Sequence, residues 1–256
     1  MISSISNVKI KQIAALMKSA KKRRDRQCFI VEGPRMFFET PGASVEECYV
    51  TEEFLKRYRD RMGTVSYEVI SDAVCRHISD TKTPQGVIAV VRRQEITVKE
   101  CLDTRDTPCF FVLENLQDPG NMGTIIRTAE AAGVTGVLVS RGSVDPWSPK
   151  VIRSTMGAIF RVPVILSEDL DGDIRMLKKH GIRICAAVLG GETVYRTDLR
   201  GACAFLIGNE GQGLLEETVK LADCPVSIPM KGKVESLNAS VAAALLMYEV
   251  ARQREW

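Results

Sequence analysis

The sequence predicts an α/β protein in two parts: a small N-terminal α/β unit over residues 1–92, and a C-terminal domain over residues 108–256 built on a largely parallel sheet. Three observations carry this expectation. Short apolar runs alternate with helix-period segments throughout the C-terminal half, the pattern of buried strands covered by helices on both faces. A polar stretch over 93–107 has the composition of a linker. Loops rich in Gly, Asn and Ser follow the first, fifth and sixth of the C-terminal apolar runs.

In chain order, an amphipathic segment at Val8–Met17 leads into a basic run containing Lys18, Lys21, Lys22, Arg23, Arg24 and Arg26. A phosphate-contacting patch and a solvated helix end both fit that run. Apolar or alternating runs at Cys28–Glu32, Glu47–Thr51, Ser66–Ile70 and Gly86–Val91 predict the N-terminal strands. Beyond the linker, runs at Cys109–Leu113, Val134–Ser140, Phe160–Leu166, Arg183–Leu189, Cys203–Ile207 and Pro225–Ile228 predict six strands. Helices are expected at Asn121–Ala132, Ser148–Gly157, Asp169–His180, Leu214–Leu221 and from Leu237 to Arg252.

Composition narrows the function classes. With 256 residues, 45% hydrophobic and 26% charged content, the chain can bury a substantial core. A net charge of +3 is compatible with nucleic acid without arguing for it. The eight cysteines form no CxxC pair and mostly lie in apolar runs, which reads as reduced core thiols of a cytoplasmic protein. No leader-like segment opens the sequence, and no apolar stretch approaches the roughly 20 residues of a membrane span. The two histidines sit without metal-ligand spacing, so no metal is expected. There is no GxxxxGK[ST] loop, and Gly208, Gly211 and Gly213 give GxxGxG, not a dinucleotide fingerprint.

Ligands of open α/β sheets gather at the carboxyl ends of strands, so the three loops there hold the candidate site. In the first, Pro119-Gly120 suggests a turn and Asn121 a cap for a helix carrying Arg127 among small apolar neighbours. That guanidinium either faces a cleft or is a surface charge paired with Glu130. In the second, the glycines of Gly208–Gly213 permit close backbone approach and positive φ around the single charge of Glu210; a tight strand-to-helix turn would need similar glycines. In the third, Ser236-Leu237-Asn238 precedes an alanine-rich helix, either as a plain cap or as a terminus whose free N–H groups meet a ligand.

Together these loops resemble the three motifs of the SpoU-type (TrmH-like) RNA ribose methyltransferases of the SPOUT superfamily. The first is Asn-x5-Asn-x-Gly-x3-Arg at Asn115, Asn121, Gly123 and Arg127. The second runs Ile207–Leu214, and the third joins Ile228-Pro229-Met230 to Ser236–Ala242. The resemblance covers Pro108 to the C-terminus. More weakly, Phe29–Gly33 and Thr83–Val87 resemble the ribosomal-protein-like substrate-binding domain that many of these enzymes carry.

The resemblance implies a trefoil-knotted C-terminal domain, a homodimer, an RNA substrate and S-adenosylmethionine as cofactor. It places the cofactor near Val188, Leu189, Gly190, Gly208, Asn209, Gly213, Ile228, Met230 and Leu237. It makes Arg127 the catalytic arginine, with Asn121 and Asn238 orienting the ribose, Glu210 positioning Arg127 or the substrate, and Ser236 holding the turn or the ribose. The reaction it implies is in-line attack of a ribose 2′-hydroxyl on the sulfonium methyl, in which alignment can contribute roughly 7–11 kcal/mol. Guanidinium has a pKa above about 12, which favours binding phosphate and stabilising alkoxide over general-base action. Ribosomal RNA is the expected substrate; transfer RNA, or a non-catalytic role in RNA binding or ribosome assembly, are the alternatives.

Overall fold

The computed structural model describes residues 1–104 and 106–255. Arg105, inside the expected linker, and Trp256, at the end of the expected C-terminal domain, lie outside the described residues. The chain forms two compact units, Met1–Gln94 with Asp145–Phe160, and Glu95–Val144 with Arg161–Trp256.

The N-terminal unit begins with α1 (Val8–Lys18) and α2 (Ala20–Arg26), separated at Ser19, whose hydroxyl accepts from Lys22 N–H and starts the second helix. Strand β1 (Cys28–Glu32) is followed by α3 (Pro34–Glu39), β2 (Val45–Val50), α4 (Glu52–Tyr58), β3 (Glu68–Val69), α5 (Asp72–Ile78) and β4 (Val87–Arg92). The sheet order is β1-β4-β2-β3, with β4 antiparallel to both neighbours and β2 parallel to β3. Ile10, Ile13 and Leu16 of α1 pack on Ile30, Tyr49 and Ile88 of the sheet, which is why the first helix is amphipathic.

The basic run divides by use. Arg23 is buried, with Nε and Nη2 donating to Asp145 Oδ2 at 2.8 and 2.6 Å, and Arg26 pairs with Glu47. Lys18, Lys21, Lys22 and Arg24 remain exposed.

The second unit starts inside the stretch read as a linker. Thr97 and Glu100 form a capping box around α6 (Val98–Leu102), which buries Val98 and Cys101. The polar composition of 93–107 hid this short helix, whose Val98, Cys101 and partly buried Leu102 meet the core. There follow β5 (Cys109–Leu113), α7 (Pro119–Ala131), β6 (Gly136–Ser140), α8 (Pro149–Thr155), β7 (Val164–Ser167), α9 (Leu170–Lys179), β8 (Arg183–Thr193), β9 (Cys203–Ile207), α10 (Glu216–Leu221), β10 (Cys224–Ser227) and α11 (Ala239–Gln253).

Six strands in the order β10-β8-β9-β5-β6-β7 pair in parallel throughout. The central β5 and β9 are buried along their whole length, and Phe111 and Phe205 stack across them with ring centroids 5.3 Å apart. On one face, Phe110, Val112, Leu138, Ile184 and Leu206 meet α6 and α9. Helices α7 and α11 pack on each other.

Helix α8 belongs with the N-terminal unit although it lies within the C-terminal half of the sequence. The Arg23–Asp145 pair, the Arg153 Nη2 bond to Asp80 Oδ2 at 2.7 Å and the Phe29–Phe160 ring contact at 6.0 Å tie the segment there. Ion pairs over more than 70 positions leave no trace in local periodicity. Among the described residues, no helix is long and apolar enough to cross a membrane.

Candidate active site

The first, fifth and sixth strands of the large sheet all end at one place, because β9 and β5 are neighbours and β10 is carried to the far side of β8. Loops leaving β5, β9 and β10 therefore converge at their carboxyl ends. A single chain of side-chain hydrogen bonds joins them. Asn121 donates from Nδ2 to Glu210 Oε1 at 3.1 Å, and its Oδ1 accepts from Asn238 Nδ2 at 3.0 Å. One buried amide thus bridges all three motifs.

Each member is also fixed locally. The Glu210 carboxylate accepts from the Asp118 and Gln117 N–H groups at 3.0 and 3.1 Å, bracing the start of α7. Burial alone would raise its pKa, but the hydrogen bonds from Asp118, Asn121 and Gln117 outweigh that and hold it below the usual carboxylate range. Asn238 Oδ1 caps α11 by accepting from the N–H groups of Ser240 and Val241 and from the Ser240 hydroxyl. Among the described residues no hydrogen bond or ion pair joins Glu210 to Arg127, and the Glu210 carboxylate braces the first loop instead.

The start of α7 differs from the expectation. Asp118 caps α7, accepting from Asn121 N–H at 2.8 Å, and Pro119 occupies the first helical position. Asn121 is consequently inside the helix, which frees its side chain for the bridge. At α11, by contrast, the expected cap within Ser236-Leu237-Asn238 is present, with Asn238 as the capping residue and the Ser236 side chain exposed on the cavity edge.

The loop after β9 closes on itself. Asn209 and Gly213 exchange N–H to O bonds of 3.0 and 2.9 Å, and Asn209 Oδ1 accepts from the Gly211 and Gln212 N–H groups. Asn209 Nδ2 then reaches Asn115 O at 2.8 Å. The glycines serve distinct needs. A Cβ on Gly208 would lie 2.1 Å from Gly213 C, whereas Gly213 has φ +71° and Gly211 neither constraint.

Two residues were missed by the sequence reading. Glu114, buried at the end of β5, accepts from Leu215 N–H at 2.8 Å and from the Thr218 hydroxyl, anchoring the exit of the second loop. Gln117 donates to Asn115 O and Gly142 O at 2.9 and 2.8 Å, pinning the first loop. Glu114 immediately precedes the first motif, and a carboxylate closing an apolar strand was the available signal.

These loops enclose a cavity of about 480 Å³. Val188, Leu189, Gly208, Asn209, Gly213, Ile228, Met230 and Leu237 line it, as do Glu210 and Ser236. Gly190 stands outside the lining with φ +76°. Asn121 and Asn238 stand behind the wall that they brace, and Arg127 is on an exposed face of α7.

Among the described residues, no lysine or arginine lines the cavity; its polar groups there are backbone, Ser, Asn, Gln and two carboxylates, Glu210 and Glu235. A phosphate-bearing dinucleotide would find no cation there, while a phosphate-free nucleoside carrying positive charge fits both the apolar wall and the carboxylates. S-adenosylmethionine is such a molecule. Arg127 has no hydrogen-bond or ion-pair partner among the described residues, because Glu130, the expected partner, is held by Arg161 at 2.9 Å. An exposed, unpaired guanidinium remains available to an anionic substrate.

Comparison with known proteins agrees with this geometry. A family model described as the SpoU rRNA Methylase family matches residues 108–248, and one described as an MRM3-like substrate binding domain matches residues 7–89. The chain is 32% identical over 253 residues to the 23S rRNA (guanosine(2553)-2'-O)-methyltransferase RlmP of Bacillus subtilis, covering 97% of this chain and 98% of that protein. It is 34% identical over 207 residues to the 23S rRNA (guanosine-2'-O-)-methyltransferase RlmB of Shewanella oneidensis, covering 78% and 83%. Among solved structures, the SpoU methyltransferase AviRb from Streptomyces viridochromogenes in complex with AdoMet superposes with a TM-score of 0.88 at 28% identity, over 97% of this chain and 98% of that one. With its motif-bearing half matched throughout and its whole length shared with such relatives, this chain belongs to the SpoU rRNA methylase family.

Proposed function

We propose that this protein transfers a methyl group from S-adenosylmethionine to a ribose 2′-hydroxyl of ribosomal RNA. The observation that carries the reading is that, among the described residues, no lysine or arginine lines the cavity walled by the three loops that Asn121 links, and Arg127 takes no partner. The names of two relatives, both 23S rRNA guanosine 2′-O-methyltransferases, favour a guanosine of the large-subunit RNA.

The cofactor supplies an electrophilic methyl on a positively charged sulfur. Loop backbone at Gly208–Gly213 and apolar side chains of Leu189, Ile228 and Met230 would hold it, and the tight approach at Gly208 leaves no room for a side chain to intrude. Asn121 and Asn238 keep the loop walls in one geometry, so that little reorganisation accompanies reaction. Ser236 offers a hydroxyl at the cavity edge to the ribose. Arg127 draws in an RNA phosphate and stabilises negative charge developing on the 2′-oxygen.

The chain acts as a homodimer in this reading. Val241, Leu245 and Tyr248, spaced to share one face of α11, are 47%, 39% and 45% exposed. A second copy covering that apolar stripe is the occupant that the family relationship supports. A trefoil knot in the C-terminal domain is part of the same reading, supported by the family relationship. Eight free cysteines suit a reducing cytoplasm.

Mapping ribose methylation across total RNA with and without the gene tests the reaction and its substrate together. Loss of one 2′-O-methyl mark in ribosomal RNA is expected; a lost mark only in transfer RNA overturns the substrate, and no lost mark anywhere favours a binding-only protein. Arg127→Ala should lower methyl transfer by about 10²- to 10³-fold with S-adenosylmethionine affinity kept. Full activity in that variant removes Arg127 from the mechanism.

A further inference from the structure

In the N-terminal unit, Thr83–Gly86, which the methyl-transfer site leaves unused, and Pro34, which directly follows the segment Phe29–Gly33, line a second cavity of about 570 Å³. It lies where β1 and β2 end and β4 begins. Gly33 N–H donates to Val87 O at 3.0 Å and Thr51 N–H to Gly86 O at 2.9 Å, which draws both segments together. Gly86 has φ +81°, and a Cβ there would lie 2.4 Å from Thr51 Oγ1. Buried Glu32 accepts from the Ser79 hydroxyl, from Asp80 N–H at 3.1 Å and from the Thr81 hydroxyl at 2.7 Å, fixing the loop that presents Lys82.

The lining is what a nucleotide needs. Arg57 of α4, Arg76 of α5 and Lys82 of the loop surround the cavity, and none has a hydrogen-bond or ion-pair partner among the described residues. Elsewhere in the same unit Arg23, Arg26 and Arg153 are all paired with carboxylates. Three cations that line one cavity without carboxylate partners leave it positively charged and open to an anionic ligand. Tyr58 is half-buried in the lining and rests on Phe54, ring centroids 4.9 Å apart, so one ring is held rigidly at the cavity. Glu53 and Asp72 add acceptors that a bare phosphate would avoid but that base amino and imino groups would use.

We propose that this cavity is a nucleotide subsite, holding one unstacked nucleotide of the RNA substrate other than the methylated one. Its phosphates face Arg57, Arg76 and Lys82, and its base lies on the Tyr58 ring. The proposal rests on the RNA reading above, and it adds a second point of recognition that selects the RNA without touching the reacting atoms.

The test compares full-length variants. Arg57→Ala/Arg76→Ala/Lys82→Ala removes the cavity cations; Lys21→Ala/Lys22→Ala/Arg24→Ala removes three exposed cations outside it. Binding to transcribed large-subunit RNA is titrated at several salt concentrations, alongside kcat, KM and S-adenosylmethionine affinity. The cavity variant should raise Kd and KM by about tenfold or more and flatten the salt dependence, leaving kcat and cofactor affinity unchanged. Tyr58→Ala should raise Kd with the salt dependence kept, and Tyr58→Phe should restore it. Lys82→Ala alone, a loop substitution on which the core does not depend, must move Kd in the same direction.

Equal losses in the two triple variants overturn the subsite, since general charge would then suffice. So does Tyr58→Ala with wild-type affinity, or a cavity variant that loses free guanosine monophosphate but not RNA. If the wild-type protein binds RNA without transferring methyl, the methyl-transfer reading fails while the Kd comparison still decides the cavity.

Discussion

Asn121 is the residue on which the site depends. Its amide uses a donor on Glu210 and its acceptor on Asn238, and it is buried, so truncation leaves both partners short of a bond. Asn121→Ala should cost about 1–3 kcal/mol in urea unfolding and weaken S-adenosylmethionine binding; wild-type values for both would show that the loops hold their geometry without it. Glu210 adds a pH dependence. Its pKa is lowered on folding, so the stabilisation is present above the unfolded value of about 4.3 and is lost as pH falls through the folded value. Cofactor affinity should therefore be flat in this respect from pH 8 to 5 and fall in stronger acid, and Glu210→Gln should remove that limb. Titration calorimetry across the range measures it.

Among elements, the loop between β9 and α10 is the most constrained. It is tied to β5 at one end by Asn209 to Asn115 O and at the other by Leu215 N–H to Glu114, and its two ends touch at Gly208 and Gly213. Gly208→Ala forces backbone apart where a Cβ would stand 2.1 Å from Gly213 C, so the loop must reopen. The expected result is S-adenosylmethionine affinity at least tenfold weaker, about 1.4 kcal/mol, with a modest fall in melting temperature. An unchanged Kd in a folded variant would mean that the loop's closure is not what shapes the cavity. Helix α11 carries two duties on opposite sides, its cap in the site and its Val241, Leu245 and Tyr248 face outward.

At the scale of the whole molecule, that outward face is where the proposed homodimer would form. Val241→Glu/Leu245→Glu should convert the proposed homodimer to monomer in light scattering at micromolar concentration, whereas the wild-type chain running as a monomer would reject the dimer. The units differ in how they use charge. Among the described residues, the N-terminal unit leaves Arg57, Arg76 and Lys82 unpaired at one cavity, and the C-terminal unit lines its own cavity without a lysine or arginine.

Much of this was legible in the residues alone. Alternating runs specified a parallel α/β sheet because buried strands and amphipathic helices have distinct periods, and the spacing of Asn115, Asn121, Gly123 and Arg127 with the loops at Gly208–Gly213 and Ser236–Asn238 marked where the site would form. The α6 capping box, with its Thr97 and Glu100, was equally written there and was obscured by its polar surroundings. Other features had no local signature. That Glu210 braces the first loop, that Asn121 links it to Asn238, and that Asp145–Phe160 joins the N-terminal unit were decided by tertiary structure. Hydrogen bonds and ion pairs between residues about 90 to 120 positions apart depend on which strands become neighbours, and strand order is fixed by the packing of the whole sheet rather than by any one segment.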